Sequence, residues 1–140
     1  MFFDSTSGGN ARAGQIWELN LAENTLRLVF ESPSKQVLNM PDNLAVSARG
    51  GIIICEDCGI TTVQTPKGLK RYFPRLHALS PEGEIHLFAE NNAVIEKLGD
   101  FRGSEWTGAN FSPDGKWLFA NIQTPGFTVA ITGPWEKGCL

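Results

Sequence analysis

Long apolar runs are missing from this chain. The longest uninterrupted one of note, Gly51-Ile-Ile-Ile-Cys55, is the length of a strand and far short of the ~18 residues that span a bilayer as a helix. Charge is scarce too: Asp, Glu, Lys and Arg make up 19% of the residues and the formal net charge is -3. No basic run offers a track for a phosphate backbone, so a nucleic-acid partner is not expected. The densest basic patch, Lys67-Gly-Leu-Lys-Arg71, reads equally well as a solvated loop. Cysteine is limited to Cys55, Cys58 and Cys139, an odd number that excludes a complete disulfide framework. Cys55-Glu-Asp-Cys58 has CxxC spacing, but it has neither a second pair to close a zinc site nor a βαβ setting for redox work. The first ten residues have no basic segment followed by an apolar core and cleavage site, so no secretion signal is read there. Gly-rich nucleotide fingerprints, the phosphate-binding P-loop and the G-x-S-x-G elbow are all absent.

What the chain does have is turns and short apolar strands. Ser47-Ala-Arg-Gly50, Ser80-Pro-Glu-Gly83 and Ser112-Pro-Asp-Gly115 share one pattern, in which Gly supplies the positive φ that ends a tight turn. Ten strands are expected: 1–5, 14–20, 25–31, 43–46, 51–55, 76–79, 85–89, 108–111, 117–121 and 127–132. Their β-branched and aromatic content favours strand over helix. Residues 93–99 are the one stretch expected to make a helical turn or an irregular lid. Residues 56–75, punctuated by Gly59, Pro66, Gly68 and Pro74, read as a long loop. The fold class expected is all-β: an incomplete β-propeller of about two to three blades of antiparallel strands, filling residues 1–140 as one partial domain. A compact β-sandwich is the alternative grouping. An open set of blades would leave sheet faces and edges exposed, to be covered by further blades or by self-association.

A series of motifs then gives the chain a family likeness. Ser5-Thr-Ser-Gly-Gly9, Gly14-Gln-Ile-Trp-Glu-Leu19, Leu28-Val-Phe-Glu-Ser32 and Met40-Pro-Asp-Asn-Leu44 occur in order, followed by Cys55-Glu-Asp57 and Arg75-Leu-His77. Phe111-Ser-Pro-Asp-Gly115, Asn121-Ile-Gln-Thr-Pro125 and Ile131-Thr-Gly-Pro-Trp135 complete the series. Together they resemble the C-terminal part of the domain of PhoX-type alkaline phosphatases. The resemblance implies a propeller-like bacterial enzyme that hydrolyses phosphate monoesters. It also implies a calcium and iron cluster, and a periplasmic or extracellular location. It further implies that other blades and metal ligands of the family domain lie outside this chain, which is expected to be inactive alone.

Four residues are candidate metal ligands. Asp42 and Asn43 follow Pro41 at the entrance to a strand and carry hard oxygen donors suited to calcium; an Asx turn capping that strand is the plainer reading. Glu56 ends the Ile-rich strand, where a carboxylate can face a cleft or remain a solvated loop charge. Glu105 stands where the resemblance places an acidic ligand, or is a surface Glu beside a core Trp106. Arg75 and Arg102 are candidate phosphate contacts, because a guanidinium holds phosphate through two parallel hydrogen bonds. His77 shares a face with Arg75, and a pair on the sheet surface is the alternative role for both. Asn121 and Gln123 are expected to organise the Pro125-Gly126 turn, and Trp135 to pack at the end of the last strand. No catalytic residue is assigned. Two other functions remain open at this point: a non-catalytic propeller segment that docks on a partner, and a calcium-dependent propeller lactonase.

Overall fold

The computed structural model describes residues 1–140 and consists of antiparallel strands, with a single 3-10 turn at Trp135–Lys137. Along the chain, β1 (Phe2–Ser5), β2 (Gln15–Asn20) and β3 (Thr25–Glu31) form a first sheet. β4 (Pro41–Val46) and β5 (Ile52–Glu56) begin a second. It is interrupted by a separate hairpin, β6 (Thr61–Thr65) and β7 (Gly68–Tyr72), and completed by β8 (Arg75–Leu79) and β9 (Ile85–Glu90). A small hairpin, β10 (Val94–Ile95) and β11 (Gly99–Asp100), leads to the third sheet, β12 (Trp106–Phe111), β13 (Trp117–Ile122) and β14 (Phe127–Thr132). The three larger sheets have three, four and three strands in the orders β1-β2-β3, β4-β5-β8-β9 and β12-β13-β14. They do not close into a barrel or propeller.

The three repeated turns join β4 to β5, β8 to β9 and β12 to β13. In each, the Gly amide donates to the Ser carbonyl: Gly50 to Ser47 at 3.0 Å, Gly83 to Ser80 at 2.9 Å and Gly115 to Ser112 at 2.8 Å. Gly115 sits at φ +67, a conformation that an L side chain rarely adopts.

The middle sheet is covered on both faces, and this explains its continuous apolar sequence. Every residue of β5 and β8 is buried. Ile52 and Ile54 pack with Ile16, Leu38 and Leu79 toward the first sheet. Ile53 and Cys55 pack with Leu76, Trp106, Leu118, Ala120 and Ile122 toward the third. The period of two in strand side chains thus splits one Ile-rich run between two cores. β4 also lies against β1 and β12, so the first strands of the three sheets are neighbours.

Two expectations change. Residues 56–75 are not a bare loop, because they hold the β6–β7 hairpin. Its two-residue turn is Pro66-Lys67, and Thr65 Oγ1 donates to the Gly68 carbonyl at 2.7 Å. The Gly and Pro punctuation marked the turn of a hairpin, and the β-branched run Thr61-Thr-Val63 supplied its first strand. Residues 93–99 are not helical either. Val94 pairs with Asp100 and Ile95 with Gly99, and Lys97 at φ +68 makes the reversal.

Leu118 is fully buried between the second and third sheets. Leu118→Ala is expected to lower unfolding free energy by roughly 2–5 kcal/mol in urea titrations; Trp117→Ala, next to it and half exposed, is expected to cost much less.

Candidate functional site

A buried carboxylate is costly unless donors surround it, and Glu56 is surrounded. The last residue of β5, it is fully buried. Its Oε1 accepts from the Asn39 amide at 2.7 Å, from Arg75 Nη2 at 2.6 Å and from His77 Nε2 at 3.2 Å. Its Oε2 accepts from the Arg75 amide and from Arg75 Nε, both at 2.9 Å. Burial pushes this carboxyl up, but the bonds from His77 and Arg75 outweigh it and hold the group below the usual carboxylate range. Arg75 also donates to two backbone carbonyls, Gln36 at 2.6 Å and Lys35 at 3.0 Å. Tyr72 lies against the guanidinium, 5.1 Å away. Glu56, Arg75 and His77 are therefore placed as one internal knot tying β5, β8 and the 35–39 segment together. In this arrangement both oxygens of Glu56 are taken by protein donors, while Arg75 and His77 also line a cavity beside Lys70 and Arg71.

Asp42 and Asn43 occupy a different setting. Asp42 is the extra residue of a bulge in β4, between the Pro41–Glu56 and Asn43–Cys55 pairs. β12 is irregular directly opposite, between Thr107 and Asn110. Asn43 Oδ1 joins the two, accepting from Thr107 Oγ1 at 3.0 Å and from the Gly108 amide at 2.5 Å. Gly108 is required there: its φ is +59, and a Cβ would stand 2.7 Å from Asn121 Nδ2. Bulges re-aim side chains at sheet edges and sites, and this one leaves Asp42 exposed.

Asp4 of β1 joins this setting, and the sequence reading passed over it. Its carboxyl is pushed up to about 6, first by burial and then by the charge of Asp42. Two carboxylates from adjacent sheets thus share one region. The one available signal was an Asp embedded in the apolar Met1-Phe-Phe start of the chain.

Glu105 immediately precedes β12. It lines an open polar cleft of about 390 Å³ with Asp57, Cys58, Asp100, Gln123 and Thr124. Arg102 stands at the rim, where it grips Asp100 with both ends of its fork, at 2.9 and 2.7 Å, and stacks 5.0 Å from Phe73. Arg102 holds Asp100 down at about 2. The six candidate residues therefore fall into three places: Glu56 with Arg75, Asp42 with Asn43, and Glu105 near Arg102. No group of three or more His, Cys, Asp or Glu side chains is close enough to hold a metal ion.

The remaining motif residues are structural in their contacts. Asn121 bridges strands, donating to the Thr107 carbonyl and accepting from Thr128 Oγ1 at 2.7 Å. Trp135 stacks on Phe88 and meets Phe111 edge-on. The three cysteines are free. Burial pushes the thiols of Cys55 and Cys58 up to about 11, and for Cys58 the charge of Glu56 adds to the effect. Asn39 Oδ1, buried beside Cys58, has no hydrogen-bond partner.

The chain is thus antiparallel and all-β, with Asp4 and Asp42 on the first strands of adjacent sheets. The chain belongs to the PhoX alkaline phosphatase family: the family model described as alkaline phosphatase PhoX matches residues 3–126. The closing Ile131-Thr-Gly-Pro-Trp135 motif lies beyond the matched residues. No individual curated protein matches the chain.

Two measurements check this electrostatic picture. Glu56→Ala leaves Arg75 buried without its partner and is expected to cost about 3–5 kcal/mol in urea unfolding at neutral pH. Asp4 acts in the opposite sense. Its folded pKa is raised above the ordinary 3.8, so ionisation costs stability above about pH 6 and nothing below about pH 4. Asp4→Asn is therefore expected to raise the melting temperature at pH 7.5, by an amount that shrinks through pH 6 and vanishes near pH 4.

Proposed function

We propose that the chain is a shortened or partial PhoX-type phosphatase domain, residues 1–140, whose three larger sheets are blades of an incomplete propeller and whose ancestral reaction is hydrolysis of phosphate monoesters. The observation that carries this reading is the family match across β1 to β13, combined with the carboxylate pair Asp4 and Asp42. Burial, and then the charge of Asp42, raise the Asp4 carboxyl, and the hard oxygen donors of such a pair suit calcium. Asp42 with Asp4, and Glu105 apart from them in the polar cleft, are the ligand candidates; neither place assembles a full ligand set from these residues alone. Asn43 positions Asp42 by bracing β4 against β12, since its oxygen is already shared by two donors. Glu56, fully engaged with protein donors, serves as scaffold. Calcium and iron, when bound, supply charge neutralisation and Lewis acidity toward a phosphate ester.

On the substrate side, Arg102 is the candidate phosphate contact, reached by exchanging the Asp100 carboxylate for a phosphate at the rim of the Glu105 cleft. Arg75 orders the base of the second sheet. An exported location follows from what is typical of the family.

A non-catalytic role is the second reading. It is favoured by the engagement of Glu56 and Arg75 with each other and by the separation of the remaining candidates. Family membership leaves the lactonase reading with little support.

The deciding experiment is phosphate release from a generic monoester by the purified chain, with and without calcium and ferric iron, beside Glu105→Gln. Metal-dependent turnover lost at least ~100-fold in the variant supports a working site around Glu105. A folded chain without turnover supports the non-catalytic reading. Calcium is also expected to raise the melting temperature of the parent protein and to leave that of Asp42→Asn unchanged.

A further inference from the structure

Arg75, His77 and Leu79 share one face of β8, because strand side chains alternate. Leu79 packs toward the first sheet. Beyond it, the same face forms the floor of a cavity of about 620 Å³. Arg75 and His77 lie there beside Ile85 and Leu87 of β9; His77 is paired across the strands with Leu87, and Arg75 with Glu90. Gln36 and Val37, from the link between the first two sheets, and Lys70 and Tyr72 of β7 complete the lining. Three separate parts of the chain thus surround one space, of a size usual for small-molecule sites. None of Asp4, Asp42, Arg102 and Glu105 lines it.

Two buried side chains in the floor each keep a polar atom without a partner. Arg75 is 4% exposed and His77 2%. Arg75 gives Nε and Nη2 to Glu56, Nη2 also to the Lys35 carbonyl, and Nη1 to the Gln36 carbonyl. A guanidinium has five N–H groups, so one on Nη1 is left over. His77 meets Glu56 Oε1 through Nε2. Glu56 is held as a carboxylate, so Nε2 carries the proton and Nδ1 is an acceptor. Nδ1 bonds nothing in the chain, and it is not sealed in the interior, where Asn39 Oδ1 is the unpartnered side-chain atom. Lys70 adds a charge: its ammonium stands 4.5 Å over the Tyr72 ring, and no carboxylate pairs with it. Arg71 adds positive charge to the lining, and Glu90 is the one acidic residue there.

We propose that this cavity binds a small organic oxyanion that also carries a hydroxyl group. The oxyanion meets the free Nη1 hydrogen of Arg75 and the Lys70 ammonium, through charge-assisted bonds of the stronger kind. The hydroxyl donates to His77 Nδ1. The apolar body of the ligand lies on Val37, Ile85 and Leu87. Glu90 forms no ion pair with Arg75 or Lys70, so the ligand has no carboxylate of the rim to displace. A hydroxy acid and a phosphorylated alcohol share this chemistry. The site goes beyond the phosphatase reading and does not rest on it, since no metal-ligand candidate lines the cavity.

Amide chemical shifts of the isotope-labelled full chain test it, with EDTA present so that no metal takes part. Mandelate and hydroxymethylphosphonate are the probes, one for each head group. At least one of them is expected to shift residues 70–77 and 85–90, with a Kd of about 1 mM or tighter. Phenylacetate and methylphosphonate lack the hydroxyl, and benzyl alcohol lacks the charge; each is expected to bind roughly tenfold more weakly than the matching probe. Leu87→Glu puts a carboxylate beside His77 and is expected to abolish the shifts. Lys70→Gln, on the exposed hairpin, is expected to weaken binding about tenfold. The proposal is overturned if neither probe binds, if the shifts centre on the Glu105 cleft, or if the controls bind as tightly as the probes. Binding that both variants leave unchanged overturns it as well. Phosphate release is read separately, so either reading can fail without the other.

Discussion

A carboxylate removed from water must find donors on every side, and the middle of this protein is arranged around that requirement. Glu56 takes hydrogen bonds from three parts of the chain: the backbone at Asn39, the backbone and guanidinium of Arg75, and the ring of His77. Arg75 in turn caps the carbonyls of Lys35 and Gln36. The link between the first and second sheets is thereby fixed to β5 and β8, and the start of β4 is held in place. Because β4 carries Asp42 and Asn43, the exposed acidic region depends on a buried ion pair that need not touch any ligand. Buried pairs of this kind are weak contributors to net stability but costly to break, which suits a device that sets geometry.

The two bulges show how that geometry reaches the surface. A regular β4 would place Asp42 and Asn43 on opposite faces. The bulge frees Asp42 while Asn43 keeps its grip on Thr107 and Gly108 of β12. The first strands of the three sheets are thus neighbours, with Asp4 near Asp42 and Asn43 bonded to the start of β12. Glu105 lies apart from them, in the polar cleft that Asp100, the partner of Arg102, also lines.

Much of the fold was legible in the sequence, for local reasons. The Ser-x-x-Gly turns placed three hairpins, and the bounds of Thr25–Glu31 and Phe127–Thr132 follow directly from apolar alternation between turn residues. The β6–β7 hairpin was not legible because its strands are polar and half exposed, leaving only Gly and Pro to be noticed. The candidate site was harder to read. Residue type alone marks Glu56 and Arg75 as able to meet a metal or a phosphate. Which of them instead meet each other depends on the pairing of β5 with β8, which joins residues nineteen positions apart in sequence. Asp4 was hidden for the same reason: its neighbour Asp42 comes from another sheet.

The cysteines carry a consequence of a different kind. Thiol–disulfide exchange proceeds through the thiolate. Cys55 is enclosed by apolar side chains, and Cys58 lies beside the negative charge of Glu56; both are held protonated well above neutral pH. Two thiols three residues apart would otherwise invite cross-linking. Their surroundings disfavour the thiolate, so the same packing that builds the core also keeps this CxxC pair in the less reactive thiol form.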